Sequence, residues 1–397
     1  MIKDSKLRMS ALILLAVAAS IGAVIAYSKA SPVPLLPKIF LMRTPDDGIQ
    51  PQTALDRRGV LRMIYFKGNA SAGDIEYVER QPGATAFSAP IRVNSQPGSA
   101  VAIGTVRGPQ MALGRDGRVY VIWFGSSQAN PRGPAGGTPV LFSRLNDAGT
   151  AFTPQRNLMQ YTTGVDGGLS IAADQRGNVY AVWHAKGQFS GEAHRRVYLA
   201  RSTDDGKTFA REAPVSPAAL GACGCCGMRA FVDENGTLFV LYRAAGENIH
   251  RDMTLLLSTD RGRSFRAEDL SAWKLNACPM STADLSEGGG QVLAAWERAG
   301  EVYFNRISPL TLSPSTALAA PGSPVDWKHP AVAENARGQA LLVWTEGTAW
   351  MKGGSVAWQL FNPDGRPMSQ KGHAPGVPVW GMPSVFTNAQ GNFTIVY

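Results

Sequence analysis

GLSIAADQRGNVYAVWHAKG, Gly168–Gly187, holds two short apolar runs around a polar turn that ends in Gly177, with Trp183 six residues after that glycine. In the second run Val179, Ala181 and Trp183 alternate with Tyr180 and Val182, the period-two pattern of a strand with two different faces. Glycine at the end of DQRG supplies the positive φ that a tight connection needs. The pattern predicts a β-hairpin. The same glycine-to-aromatic offset recurs at Gly59/Tyr65, Gly117/Trp123, Gly236/Tyr242, Gly290/Trp296, Gly338/Trp344 and Gly391/Tyr397, which makes seven copies spaced 48 to 60 residues apart.

A period near fifty residues, with room for about four strands per unit, is the signature of propeller blades. One blade cannot bury both of its faces, so the copies must stack radially. The expected class is all-β, a propeller of four-stranded blades. The chain ends at Tyr397 on a hairpin with no outer strands after it, so Lys38–Arg43 is expected to close the ring as a strand of the last blade. Seven hairpins favour seven blades, with six as the alternative.

A second motif follows two hairpins. Ser202-Thr-Asp-Asp-Gly-Lys-Thr-Phe209 and Ser258-Thr-Asp-Arg-Gly-Arg-Ser-Phe265 both read S-x-D-x-G-x-[ST]-F, and Asp147-Ala-Gly-Thr-Ala-Phe152 is a weaker copy. These segments resemble the Asp-box (BNR) repeats of sialidase-like β-propellers, over roughly residues 38–397. The physical part of such a box is a turn. Its Asp accepts from nearby backbone N–H groups, its Gly takes positive φ, and its aromatic packs between blades. The resemblance implies that inner strands run from the top face to the bottom, so segments before each hairpin and after each aromatic lie on top.

All four cysteines fall in two such segments, Gly221-Ala-Cys223-Gly-Cys225-Cys226-Gly-Met228 and Asn276-Ala-Cys278-Pro-Met280. Three readings stand side by side. Four cysteines outside the cytoplasm form disulfides, and Cys278 bridged into the cluster would staple two blades. Thiolates and thioethers select copper(I), or zinc where imidazole joins them, with Met228, Met280 and His329 as further ligands and Met382 in a similar position. A redox-active thiol pair is the third reading, without the strand–CxxC–helix context of thioredoxin-like proteins.

The resemblance also implies a test for glycosidase chemistry. Sialidases hold a substrate carboxylate with three arginines and use a Tyr/Glu pair with an Asp acid/base. Arg229, Arg243 and Arg298, with Glu297, are the candidate substrate-binding residues, alongside Arg107, Glu192, Glu247 and Glu346. The early F-R-I-P motif of that family is absent, its nearest string being Ala89-Pro-Ile-Arg92. An exo-acting glycosidase is therefore the alternative to a binding propeller, and no catalytic residue is assigned. His184, His194 and His250 also fall in top-face loops.

Residues 1–30 read as a signal peptide or N-terminal membrane anchor: Lys3, Lys6 and Arg8 precede an uncharged, mostly apolar stretch from Met9 to Tyr27. This predicts a periplasmic or extracellular domain, anchored to the inner membrane, behind a Pro-rich spacer at 31–37. Of the net charge of +9, the first 30 residues carry +3, and the remaining basic residues are scattered. That distribution argues against nucleic-acid binding and leaves a glycan or a protein as the expected partner.

Overall fold

The computed structural model describes residues 36–324 and 326–397. The segments expected to be the signal or anchor and most of the spacer lie outside the described residues. Among the described residues no helix is long and apolar enough to cross a membrane.

The chain folds as a seven-bladed propeller. Blade one comprises Ile49–Leu55, Leu61–Asn69, Ala72–Arg80 and Ile91–Arg92. Blade two comprises Gln110–Leu113, Val119–Phe124, Val140–Arg144 and Arg156–Asn157. Blade three is Leu169–Ala173, Val179–Ala185, Arg196–Ser202 and Ala213–Pro214. Blade four is Arg229–Val232, Leu238–Arg243, Met253–Ser258 and Arg266–Ser271. Blade five is Ala283–Gly288, Gln291–Arg298, Glu301–Ile307 and Leu318–Ala319. Blade six is Lys328–Glu334, Ala340–Glu346, Gly354–Phe361 and Pro367–Val377. Within each of these six blades the neighbouring strands are antiparallel.

Blade seven departs from the expected four strands. It has three: Ser384–Thr387, Phe393–Val396 and the N-terminal Ile39–Met42. The closing strand runs parallel to its neighbour, with Ile39 opposite Phe393 and Met42 opposite Val396. The reason is direction. A single closing strand must finish on the top face, where the inner strand of blade one begins, so it follows the upward course of Phe393–Val396. Thr44 N–H to the Tyr397 carbonyl (3.0 Å) and Tyr397 N–H to the Met42 carbonyl (3.1 Å) seal the join.

The repeating hairpin behaves as its sequence predicts. All seven hairpin glycines have positive φ, from 72° to 88°. The aromatics six residues on are all buried. Val179, Ala181 and Trp183 pack with Tyr120, Ile122 and Phe124 of blade two. Tyr180 and Val182 pack with Val240 and Tyr242 of blade four. Each inner hairpin is thus shared between two interfaces, and burying one such aromatic is worth about 2–3 kcal/mol.

Asp204 and Asp260 hold turns. Asp204 accepts from the Thr208 N–H (2.9 Å) and Asp260 from those of Arg263 and Ser264 (both 2.9 Å). Phe209 stands edge-on to Phe142 of blade two, with centroids 5.0 Å apart. The weaker copy differs: Asn146 accepts from the Thr150 N–H (2.9 Å), while Asp147 pairs with Arg118.

Candidate functional site at the top of the channel

Inner strands of all seven blades surround a central channel, and one side chain closes its waist. Arg229 leaves the first residue of the inner strand of blade four. Its Nη1 donates to Oε1 of both Gln52 in blade one and Gln110 in blade two, and its Nε lies 3.1 Å from Oδ1 of Asp284 in blade five. Asp284 also accepts from the Val332 N–H of blade six at 3.0 Å. Burial pushes the Asp284 carboxyl up, and the Arg229 guanidinium opposes that rise. Below the waist the channel widens to a vestibule of about 730 Å³.

Above the waist the cavity is about 30 Å³, close to the room one water molecule occupies. Met228, His329 and Met382 line it. The loop before blade two lies across this mouth. Gly104, at φ +77°, is where loops converge: a Cβ there would come within 2.9 Å of Arg107, 3.0 Å of Met280 and 3.2 Å of Trp350. Buried Gln50 fixes the cover by donating to the Ala102 carbonyl (2.7 Å) and the Trp380 carbonyl (2.9 Å).

The cysteines meet beside this mouth, as their topology predicts. Cys225 and Cys278 form a disulfide with Cα atoms 6.3 Å apart, which ties the segment before blade four to the segment before blade five. Cys223 and Cys226 are free and buried. Their Sγ atoms are 2.8 Å apart, and Cys223 Sγ is 3.5 Å from Cys225 Sγ. Cys278 is the exposed member of the set. The loop is pinned through its backbone: Cys223 N–H donates to the Arg243 carbonyl (2.9 Å), Gly227 N–H to Ser281 (2.9 Å) and Gly167 N–H to Gly224 (2.7 Å).

Burial alone would push the Cys226 thiol up. The hydrogen bond from Cys223 and the charge of Arg243 outweigh it, and Cys226 falls below the usual thiol value. Cys223 donates that bond and is pushed well above the usual value, with burial adding to the rise. Among the described residues no His, Asp or Glu joins Cys223, Cys225 and Cys226, whose sulfurs lie within 4.8 Å of one another.

The remaining candidate ligands separate into two places. Met280 packs against the cysteines. Met228 and His329 belong to the channel mouth instead, and His329 Nδ1 lies 3.3 Å from the Thr282 hydroxyl. Burial holds the His329 imidazole down at about 3. His184 is likewise held at about 3, by burial first and then by the charge of Arg195.

The arginines do not share one pocket. Arg229 fills the channel waist. Arg243 is buried, donating to the carbonyls of Arg251 (2.9 Å) and Glu297 (2.5 Å), with its Nη2 3.7 Å from Glu297 Oε2. Arg298 turns outward along blade five, donating to Tyr303 Oη (3.0 Å) and Ser271 Oγ (3.4 Å). Arg107 pairs with Asp166 at 2.5 Å.

Sequence reading passed over the polar residues around Arg229. Gln52, Gln110 and Arg229 each stand seven residues before a hairpin glycine, which places them at one level of the channel. It also passed over Arg251, which is buried beside the cysteine loop and paired with Glu192 at 2.7 Å.

No protein-family model matches the chain, and no curated protein matches it. Solved structures do match. A protein of unknown function from Dyadobacter fermentans superposes with a TM-score of 0.52 at 13% identity, over 84% of this chain and 96% of that one. The NanB sialidase of Streptococcus pneumoniae gives 0.51 at 9% identity, over 86% and 81%. A fungal alcohol oxidase of the AA5 family, solved in complex with copper, gives 0.50 at 14% identity, over 87% and 69%. At such identities the likeness is one of fold.

Proposed function

We propose that this propeller binds a soft monovalent metal ion, copper(I), through Cys223 and Cys226 on its top face. The observation that carries the reading is the meeting of three buried sulfurs beside Met280, with two of them free. Copper(I) accepts two or three soft ligands, whereas structural zinc takes four from sulfur and nitrogen. A copper(I) dithiolate carries one negative charge, and the buried Arg243 guanidinium is a cation that already acts on Cys226. The Cys225–Cys278 disulfide keeps the loop folded around the pair. The N-terminal basic-then-apolar stretch supports placing this site outside the cytoplasm, on a membrane-anchored chain. An alkaline-phosphatase fusion after residue 38, active only when exported, tests that placement.

Anaerobic titration against a chromogenic copper(I) chelator tests the metal reading. One ion per chain is expected, lost in Cys223→Ser and Cys226→Ser and kept in His329→Ala. Copper uptake that survives both serine variants would refute the assignment.

A second reading rests on Trp350. Its ring is 59% exposed beside the channel mouth and packs edge-on to Trp380, with centroids 4.5 Å apart. An exposed indole held by a second one suits stacking against a sugar face. Glycan binding here needs no deep pocket, in keeping with the closed mouth. Tryptophan fluorescence titrated with neutral and acidic oligosaccharides, on wild type and Trp350→Ala, checks it: quenching that persists in the variant would place any glycan elsewhere.

A further inference from the structure

We propose that the four cysteines form an internal disulfide relay, in which the buried Cys223/Cys226 pair is a two-electron store for the exposed Cys225–Cys278 bridge. Its activity is thiol–disulfide exchange with a disulfide of another molecule, and it stands whether or not the site takes metal. Three observations carry it. Cys223 Sγ lies 3.5 Å from Cys225 Sγ, at the edge of the near-attack range. Cys223 and Cys226 Sγ atoms are 2.8 Å apart, so closing them to a bridge of about 2.05 Å needs a small movement. Cys278 is exposed while the other three cysteines are buried, so the bridge has one arm in solvent and one arm against the store.

The exchange takes two steps. Cys223 first passes its proton to Cys226, its hydrogen-bond partner; its thiolate sulfur then bonds to Cys225, the Cys225–Cys278 bond breaks, and the electron pair leaves on Cys278. Cys226 sulfur then bonds to Cys223, the Cys223–Cys225 bond breaks, and Cys225 receives the electron pair and the proton lost by Cys226. The buried pair is oxidised, the exposed pair is reduced, and no outside oxidant or reductant enters. The surface dithiol of Cys225 and Cys278 then reduces an external disulfide, and the chain ends with two bridges. Cys225 is the pivot because it is the bridged sulfur within reach of the store.

Trapping tests this on the folded full-length chain. The chain in its one-bridge form, with Cys223 and Cys226 as its two thiols, is treated with a maleimide carrying a bulky polyethylene glycol, too large for buried thiols, and no reductant is added. The relay predicts label on Cys278, with the bridge recovered at Cys223–Cys226 by peptide mapping. Trapping pulls the exchange forward even where its equilibrium favours the starting bridge. Cys223→Ser and Cys226→Ser are taken through the same treatment. Wild type labels at Cys278, Cys223→Ser falls at least tenfold in that label, and Cys226→Ser, which can take only the first step, keeps the label with its bridge at Cys223–Cys225. No label on Cys278 in wild type, label on Cys223 or Cys226 there, or equal Cys278 labelling in wild type and Cys223→Ser, overturns the relay. The copper titration is read separately, so loss of one result does not carry the other with it.

Discussion

Cys223 Sγ sits 2.8 Å from Cys226 Sγ, on a loop that is bridged to the next blade by Cys225 and Cys278. Cys225 lies between the free pair along four residues of chain, so one loop carries both an arm of the staple and a free thiol pair. The staple holds the loop by its middle, and the backbone bonds to Arg243, Ser281 and Gly224 hold its edges.

Removing the staple lowers stability without unfolding the propeller. The bridge spans 53 residues, a loop for which chain entropy sets an upper bound of about 4 kcal/mol. Cys278→Ser is expected to lose about 2–4 kcal/mol in denaturant unfolding while keeping its far-ultraviolet dichroism. A loss under about 0.5 kcal/mol would mean that the blade interfaces alone fix the loop.

Arg229 tests the waist. Arg229→Met keeps most of the side-chain volume and leaves the part-buried Asp284 without its guanidinium. Breaking a fully buried pair from one side costs about 3–5 kcal/mol, and this part-buried one is expected to cost about 2–3 kcal/mol. The double variant Arg229→Met with Asp284→Asn is expected to recover more than half of that loss in urea unfolding. A single variant as stable as wild type would show that the guanidinium does not hold the ring.

The turn aspartates give a pH dependence of known sign. Burial disfavours the ionised Asp204, but hydrogen bonds from the Thr208 N–H and hydroxyl and from Ser202 outweigh it and hold the group at about 2, below its usual 3.8. Asp260 is also lowered, first by the Ser264 hydroxyl and backbone N–H. A carboxyl depressed in the folded state stabilises it fully above the unfolded value, and that contribution is lost as pH falls through the folded one. Asp204→Ala is therefore expected to cost about 1 kcal/mol at neutral pH. Its difference from wild type should shrink between pH 4 and pH 2. A difference that grows on acidification would contradict the hydrogen-bond account.

The blades were legible because Trp183 and its six counterparts repeat with a glycine whose positive φ the hairpin requires. Closure by Ile39–Met42 was legible from the hairpin that ends the chain, but its parallel direction was not. That direction follows from which face the strand must reach, and no residue in IFLM encodes it. The level of the waist is written seven residues before the hairpin glycines at Gln52, Gln110 and Arg229. Asp284 breaks that count by one because the hairpin of blade five is one residue tighter, with Gly288 opposite Gln291. Arg229 itself was singled out for a substrate carboxylate, and its carboxylate turns out to be internal. For the cysteines, sequence placed all four together but left three pairings open. The distance between two loops, 53 residues apart in sequence, decides among them. The crowding at Gly104, which closes the channel mouth to a sugar-sized ligand, depends on loops from several blades and has no local signature.

The most direct test of the thiol site is copper K-edge X-ray absorption on the full-length chain loaded anaerobically with one equivalent of copper(I). The account predicts a first shell of two or three sulfur scatterers with no nitrogen or oxygen, abolished together with the bound copper in the Cys223→Ser, Cys226→Ser double variant. A shell of nitrogen or oxygen, or a sulfur shell unchanged in that double variant, would contradict it.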